Sequence, residues 1–203
     1  MHKPIIFVRH GETEWNNQGL IQGSVETDLN ETGHAQAKFV ANLLARQDIE
    51  WRDYHIVVSP QKRAQQTAGY ILKALGRDMD SVDSRVRELG FGIWEGKPFW
   101  ELKASPVYPA DSESRFYWRP KLGESYEDGV ARVNDWRSEL TRPTLVIAHG
   151  AVGRCLMGAV AGLGPAELVM LPTPQGKFCL LEHGKLQWSD GSVVSSSLQT
   201  PPS

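Results

Sequence analysis

Two histidines in this chain stand where an apolar run stops and a glycine follows. Ile5-Ile6-Phe7-Val8 leads into Arg9-His10-Gly11, and Leu145-Val146-Ile147-Ala148 leads into His149-Gly150. Histidine is an acid, a base or a nucleophile near neutral pH. Arginine offers a planar fork of donors that matches phosphate oxygens, and Gly11 allows a ligand to approach the backbone closely. The pattern predicts that His10 attacks a phosphate held by Arg9, with His149 converging on the same point from a second strand end. A third pair, His183-Gly184, follows Phe178-Cys179-Leu180-Leu181. It lies between two short strand-like runs and reads as a two-residue hairpin turn.

Other charged residues fall in positions open to the same chemistry. Arg63 lies in the first turn of a predicted helix, just after the run Ile56-Val57-Val58. A cation there is disfavoured by the helix dipole unless an anion binds nearby, so Arg63 is a candidate second phosphate clamp. The stretch from Arg85 to Gly96 is broken by Gly90, Gly92 and Gly96 and reads as a loop offering two carboxylates, Glu88 and Glu95.

The elements that must position these groups alternate. Three buried strands, at 5–8, 56–58 and 145–148, are interleaved with amphipathic helices, which predicts an α/β fold with a mainly parallel sheet. The ligand of such a fold sits outside the carboxyl ends of the strands. One helix is predicted over 30–46, capped by Asn30 and with Ala35, Phe39, Val40, Leu43 and Leu44 as its core face. A second runs to about Leu75, with Ser59 as N-cap, Pro60 at the first helical position and Gly76 as its stop. Ser125-Tyr126-Glu127-Asp128 has the pattern of a capping box opening a helix to about Leu140. An Ala- and Gly-rich helix follows over 152–163. Residues 97–124 are the least regular part, with Trp100, Tyr108, Arg115, Phe116, Tyr117, Trp118, Arg119 and four prolines. An aromatic, basic segment of that length is read as a lid or substrate loop, or as a packed Ω-loop, and it can be both. The expected organisation is one domain over 1–188 and a disordered Ser/Pro-rich tail over 189–203.

Composition bounds the partners. The 203 residues carry 22 Lys and Arg against 24 Asp and Glu, a formal net charge of -2. That balance gives no basic footprint for nucleic acid. No apolar run reaches a membrane span, and no signal-peptide core precedes the first strand. Cys155 and Cys179 sit in apolar surroundings and read as buried reduced thiols, which with the missing leader predicts a cytoplasmic protein. No Cys/His spacing suggests a zinc site.

Taken in order, these motifs resemble the histidine phosphatase superfamily, also called phosphoglycerate mutase-like. The resemblance is carried by Arg9-His10-Gly11-Glu12-Thr13 with Trp15-Asn16, Gln22-Gly23, Asp28-Leu29, Gly33 and Gln36-Ala37. It continues through Ser59-Pro60 with Arg63-Ala64 and Gln66-Thr67-Ala68, then Arg87-Glu88-Leu89, Phe91-Gly92 and Trp94-Glu95-Gly96. Gly123-Glu124-Ser125 and Ala148-His149-Gly150 complete it. It implies a three-layer α/β/α fold, no metal and no organic cofactor. It implies His10 as the nucleophile that forms a phosphohistidine, with Arg9, Arg63 and His149 holding the phosphoryl oxygens and Glu88 as proton donor to the leaving oxygen. Asn16, Gln22, Gly23 and Gly150 complete the implied substrate contacts, and Glu95 is the structural carboxylate of its loop. Two guanidiniums and a protonated His149 would neutralise the phosphoryl charge, and a backbone carbonyl on His10 would set its tautomer. A phosphate dianion beside Glu88 would favour its protonated form.

The expected activity is hydrolysis of a small phosphorylated metabolite. The alternatives are a cofactor-dependent phosphoglycerate mutase and a catalytically silent binding module. Mutases of this family have a Glu-Arg-His-Tyr-Gly type segment where this chain has Arg87-Glu88-Leu89-Gly90-Phe91-Gly92, and a mutase must keep water from its phosphohistidine. A silent module has no need of both a nucleophile and an acid. Two departures bear on the substrate: Leu20 stands where some family phosphatases have Arg, and Pro174-Gln175-Gly176-Lys177 replaces an expected Asn- or Ser-rich segment.

Overall fold

The computed structural model describes residues 3–189. Six strands form one sheet: β1 (Ile5–Arg9), β2 (His55–Val58), β3 (Ser81–Val82), β4 (Thr144–Ala148), β5 (Phe178–Glu182) and β6 (Lys185–Trp188). Their order is β3-β2-β4-β1-β5-β6. The first four are mutually parallel, and β5 and β6 close the sheet antiparallel. Eight helices surround it among the described residues: α1 (Glu14–Asn17), α2 (Glu31–Ala45), α3 (Lys62–Leu75), α4 (Phe99–Ala104), α5 (Ser112–Tyr117), α6 (Tyr126–Ser138), α7 (Gly150–Ala161) and α8 (Pro165–Met170).

The two-residue period of the strands sorts their side chains into two cores. Ile6, Val8, Ile56, Val58, Leu145 and Ile147 pack against Val40 and Leu44 of α2 and Ala64, Ala68 and Ile71 of α3. Ile5, Phe7, Val57, Val146 and Ala148 pack on the other face, against Val133 and Trp136 of α6 and Cys155 and Leu156 of α7. This is the expected three-layer α/β/α arrangement.

Local departures have physical causes. In α2 the buried residues are Gly33, Ala37, Val40, Ala41, Leu43 and Leu44, with Val40, Leu43 and Leu44 as expected. Ala35 and Phe39, expected in that face, are exposed, because the helix is rotated by its cap: Asn30 Oδ1 accepts from Gly33 N at 2.8 Å, and Gly33 lies against β1's exit. A Cβ on Gly11 would stand 2.3 Å from Gly33 O, so both glycines are required by the contact between this turn and α2. That contact, and not ligand approach, explains Gly11. Helix α3 begins two residues late, with Gln61 as its N-cap. Ser59 Oγ still accepts from Gln61 N at 3.3 Å and also meets His149 Nε2 at 2.6 Å, so this hydroxyl is shared between the turn before α3 and the second histidine. Helix α7 begins at Gly150, with His149 as the single residue between it and β4, and stops at Gly162 in the left-handed region with φ 66°. The capping box of α6 forms as expected, with Ser125 and Asp128 bonded reciprocally.

Residues 97–124 carry two short helices, α4 and α5, where an irregular loop was expected. Their order comes from tertiary contacts. Leu102 joins Ile21 and Trp94 in a small core that Tyr108 and Trp118 cover, and Phe116 of α5 packs on Leu168 and Val169 of α8. At the other end, His183 (φ 51°) and Gly184 (φ 75°) turn the β5–β6 hairpin, the two-positive-φ geometry of a tight hairpin. Ser189, expected in a disordered tail, is buried and brackets Phe178 through Ser189 N to Phe178 O at 2.9 Å and Phe178 N to Ser189 Oγ at 3.1 Å. The rest of that expected tail, 190–203, lies outside the described residues.

Candidate active site

The sheet order makes the site. Because β4 lies between β1 and β2, their carboxyl ends stand side by side: Arg9 pairs with Ala148, and Val58 with Ile147. His10 N then donates to Ala148 O at 2.9 Å, and Ser59 N to Ile147 O at 3.0 Å. Residues 139 positions apart in the chain thus bring two imidazole rings to 5.1 Å between centroids. A cavity of about 290 Å³ opens beside them, lined by Arg9, His10, Asn16, Gln22, Gly23, Arg63, Glu88 and Gly150 among others.

His10 is 2 % exposed, and its Nδ1 lies 2.7 Å from Gly11 O. A carbonyl only accepts, so Nδ1 carries the proton and Nε2 holds the free lone pair. Burial first, then the Arg9 and Arg63 guanidiniums, hold its pKa well below the ordinary 6.5. The ring is therefore neutral and able to attack at physiological pH.

Arg9 and Arg63 flank it. Arg9 Nη1 donates to Thr173 O at 2.8 Å. Arg63 Nη1 and Nη2 donate to Val25 O at 2.8 Å and Gly23 O at 2.9 Å. Burial lowers both guanidiniums, Arg9 to about 10, so both remain cationic at neutral pH. The Nε atoms of Arg9 and Arg63 and the Nδ1 of His149 are buried without a hydrogen-bond partner among the described residues. Buried polar groups are normally paired; three orphans in one cluster of two cations and an imidazole suit an anion that supplies the missing acceptors. Asn16 adds a donor. Its Oδ1 accepts from Thr13 N at 3.2 Å, a partner that can only donate, which leaves Nδ2 without an acceptor among the described residues. Gln22 likewise uses Oε1, toward Thr13 Oγ1 at 3.0 Å and Thr27 Oγ1 at 2.6 Å.

Glu88 reaches the cavity from the far wall. Its carboxylate accepts from Leu89 N, Ala151 N and Val152 N, all at 3.0 Å, at the amino end of α7. Glu95 does not line the cavity; it accepts from Ser24 N and Phe91 N, both at 2.9 Å, and ties two loops together. Gly23 (φ 52°) leaves room for that carboxylate, since a Cβ there would stand 2.1 Å from Glu95 Oε1. The constellation is a neutral imidazole, two anion-seeking guanidiniums and a carboxylate on one cavity, a set suited to in-line phosphoryl transfer.

A family model, the histidine phosphatase superfamily (branch 1), matches residues 5–192. The chain belongs to the histidine phosphatase superfamily. A relative from Hydrogenobacter thermophilus named "Putative phosphoserine phosphatase 2" is 32 % identical over 177 residues, covering 82 % of each chain. One from Yersinia enterocolitica named "Probable phosphoglycerate mutase GpmB" is 31 % identical, covering 97 % of this chain and 93 % of its own. Among solved structures, the mycobacterial glucosyl-3-phosphoglycerate phosphatase complexed with VO3 superposes with a TM-score of 0.77 at 26 % identity, over 92 % of this chain and 96 % of that one.

In this histidine phosphatase, Arg9, His10, Asn16, Gln22, Gly23, Arg63, Glu88 and Gly150 all meet at the cavity. His149 differs from its expected part. It is fully buried against His10, its Nε2 engaged by Ser59, and burial and the neighbouring cations hold its pKa well below 6.5. Burial first, and then the positive charge of Arg63 and Arg9, favour the neutral ring over the protonated form expected to face a phosphoryl group.

Sequence reasoning missed the residues that hold the site in place. Gln61 Nε2 donates to Gly23 O at 2.9 Å, and its Oε1 accepts from Glu88 N at 2.7 Å, joining the two sides of the cavity. The segment 171–175 works as a strap. Leu171 O accepts from Arg154 Nε at 2.7 Å, Thr173 O from Arg9 Nη1 at 2.8 Å, and Gln175 Nε2 donates to Asn16 Oδ1 at 3.1 Å. Alternate residues of the strap thus hold three residues of the cavity wall. Pro172 and Pro174 favour extended backbone in the residues before them, and Leu171 has φ -56°, ψ 134°. The departure at 174–177 is therefore part of the site's support, and the X-Pro-X-Pro alternation was the signal that could have disclosed it.

Two buried neutral imidazoles make stability pH-dependent. His10 and His149 protonate in the unfolded chain near 6.5 but are held well below that when folded. Their contribution is complete above pH 6.5 and is lost as pH falls below it. At pH 5.5 each costs on the order of 1 kcal/mol, together a fall of several degrees in Tm from pH 7.5 for a chain of this size. Thermal melts at pH 7.5 and 5.5 that agree within about 2 °C would show that the rings titrate normally in the fold.

Proposed function

We propose that this histidine phosphatase is a phosphomonoesterase that hydrolyses a small phosphorylated metabolite without a metal ion, through a phosphohistidine at His10. The observation that carries the reading is His10 itself: a neutral ring with Nδ1 bonded to Gly11 O and Nε2 free, set between two guanidiniums with unpartnered donors. Names of relatives for phosphoserine and glucosyl-3-phosphoglycerate phosphatases support the same class.

In the first step Nε2 attacks phosphorus, the ester P–O bond breaks, and Glu88 gives a proton to the leaving oxygen. Arg9, Arg63 and Asn16 hold the equatorial oxygens, and His149 adds its Nδ1. In the second step a water attacks the phosphohistidine, Glu88 takes its proton, and the P–N bond breaks to return His10 and release phosphate. Residues 1–188 act as one domain in this reading, with 97–124 covering the cavity as the substrate loop. No helix among the described residues is long and apolar enough to cross a membrane. We assign the enzyme to the cytoplasm, supported by the two free buried thiols, Cys155 and Cys179.

The test is phosphate release from a panel of phosphorylated metabolites in excess EDTA, with 2-phosphoglycerate assayed in the 3-phosphoglycerate sample. Undiminished release is expected. Activity lost to EDTA and restored by a divalent cation would overturn the metal-free reading, and 2-phosphoglycerate without phosphate would make the protein a mutase.

A further inference from the structure

Arg154 is a cation in the cavity wall that the reaction above does not use. It stands one turn along α7 from Gly150. Its Nε donates to Leu171 O at 2.7 Å and its Nη1 to the Tyr126 hydroxyl at 3.1 Å. Both partners are neutral. Among the described residues no carboxylate lies within ion-pair distance of Arg154, although ten arginine or lysine contacts of that kind occur elsewhere. The other carboxylate of the wall, Glu124, is already matched by Arg87 at 3.1 Å and Arg132 at 3.3 Å. This guanidinium is largely withdrawn from water and repels Arg9; its charge is favoured by Tyr126 and, at longer range, by Glu88, so it stands as a cation with no direct ion pair among the described residues, open to an entering anion. Tyr126 adds a second donor: its oxygen accepts from Arg154, and its own O–H has no acceptor among the described residues.

The strap fixes where this cation stands. Arg154 hangs from Leu171 O and Arg9 from Thr173 O, two residues apart on extended backbone, a span of roughly 6–7 Å. A separation of that order suits a second acidic group two or three carbons from the phosphate ester.

We propose that Arg154 and Tyr126 form a second anion subsite, and that the substrate is an acidic phosphomonoester carrying a carboxylate on the carbon chain that bears the ester. The proposal rests on the phosphomonoesterase reading and narrows its substrate. Phe99, Tyr108 and Trp118 line the remaining wall and accommodate whatever apolar surface the chain carries.

The test compares kcat/KM for 3-phosphoglycerate and glycerol 3-phosphate, which differ in a carboxylate against a hydroxymethyl group. The wild type is expected to prefer the acid by at least about tenfold, the worth of one charge-assisted hydrogen bond. Arg154→Met should lose ten- to a hundredfold on the acid, mainly in KM, and at least about tenfold less on glycerol 3-phosphate. Arg154→Lys should recover part of the loss, and Tyr126→Phe should shift the preference in the same direction. Equal losses on both substrates would place Arg154 on the phosphoryl group and overturn the subsite. A wild type that hydrolyses p-nitrophenyl phosphate yet shows no preference for the acid overturns the subsite alone, even if the variants do not fold. A wild type that hydrolyses none of the three overturns the phosphomonoesterase reading itself.

Discussion

Replacing His10 by alanine is expected to lower kcat by on the order of 10⁴–10⁶-fold while leaving the affinity for vanadate or phosphate within about tenfold of wild type. The covalent route disappears with the nucleophile. The groups assigned to the oxygens, Arg9, Arg63 and Asn16, are anchored elsewhere: on Thr173 O, on the carbonyls of Gly23 and Val25, and on Thr13 N with Gln175. Removing a neutral ring also relieves no ion pair. Rapid-quench labelling should trap a phosphoenzyme in the wild type that is stable to base and labile to acid, with phosphorus on Nε2 because Nδ1 is committed to Gly11 O. A variant with near wild-type turnover, or a wild type that accumulates no such species under burst conditions, would remove His10 from the nucleophile's place.

Glu88→Gln separates proton donation from the rest of the chemistry. On an alkyl phosphate, whose alkoxide needs a proton to leave, the expected loss is about 10²–10⁴-fold. On p-nitrophenyl phosphate, whose leaving group is stable as an anion, the loss should be under about tenfold. Glutamine retains a carbonyl oxygen that can accept from the amino end of α7, where Glu88 now meets Ala151 N and Val152 N at 3.0 Å. Its amide still lacks a transferable proton. Equal losses on the two substrates would mean that Glu88 is holding α7 and its loop in place and is not the acid.

These two experiments probe residues 78 positions apart, and the reason they meet shows how far the chain could be read in advance. The alternation of apolar runs with amphipathic helices is a local property, so strands at 5–8, 56–58 and 145–148, the α/β class and the stops at Gly76 and the His183-Gly184 turn were legible. So were the residue types at the strand ends, Arg9, His10 and His149, and those at a helix start and in the glycine-broken loop, Arg63 and Glu88, because each brings chemistry to a structural boundary. The resemblance carried by those same motifs added Asn16, Gln22, Gly23 and Gly150, all of which line the cavity with His10.

What only the tertiary structure decided depends on contacts between distant segments. Strand order is one such matter: inserting β4 between β1 and β2 sets His10 beside His149, and nothing local encodes that insertion. Protonation is another. Burial and the guanidiniums around His149 favour its neutral form, a sum over neighbours that no single motif contains. The core face of α2 excluded Phe39 because the fit of Gly33 against the turn at Gly11 set the helix's rotation. The strap at 171–175 and the bridge through Gln61 went unread because they work through backbone carbonyls and side-chain amides, groups every segment possesses. Sequence by itself determined which chemistry this protein carries; folding determined which groups share one cavity, how they are held and what charge each bears, because those follow from burial and from partners far away in the chain.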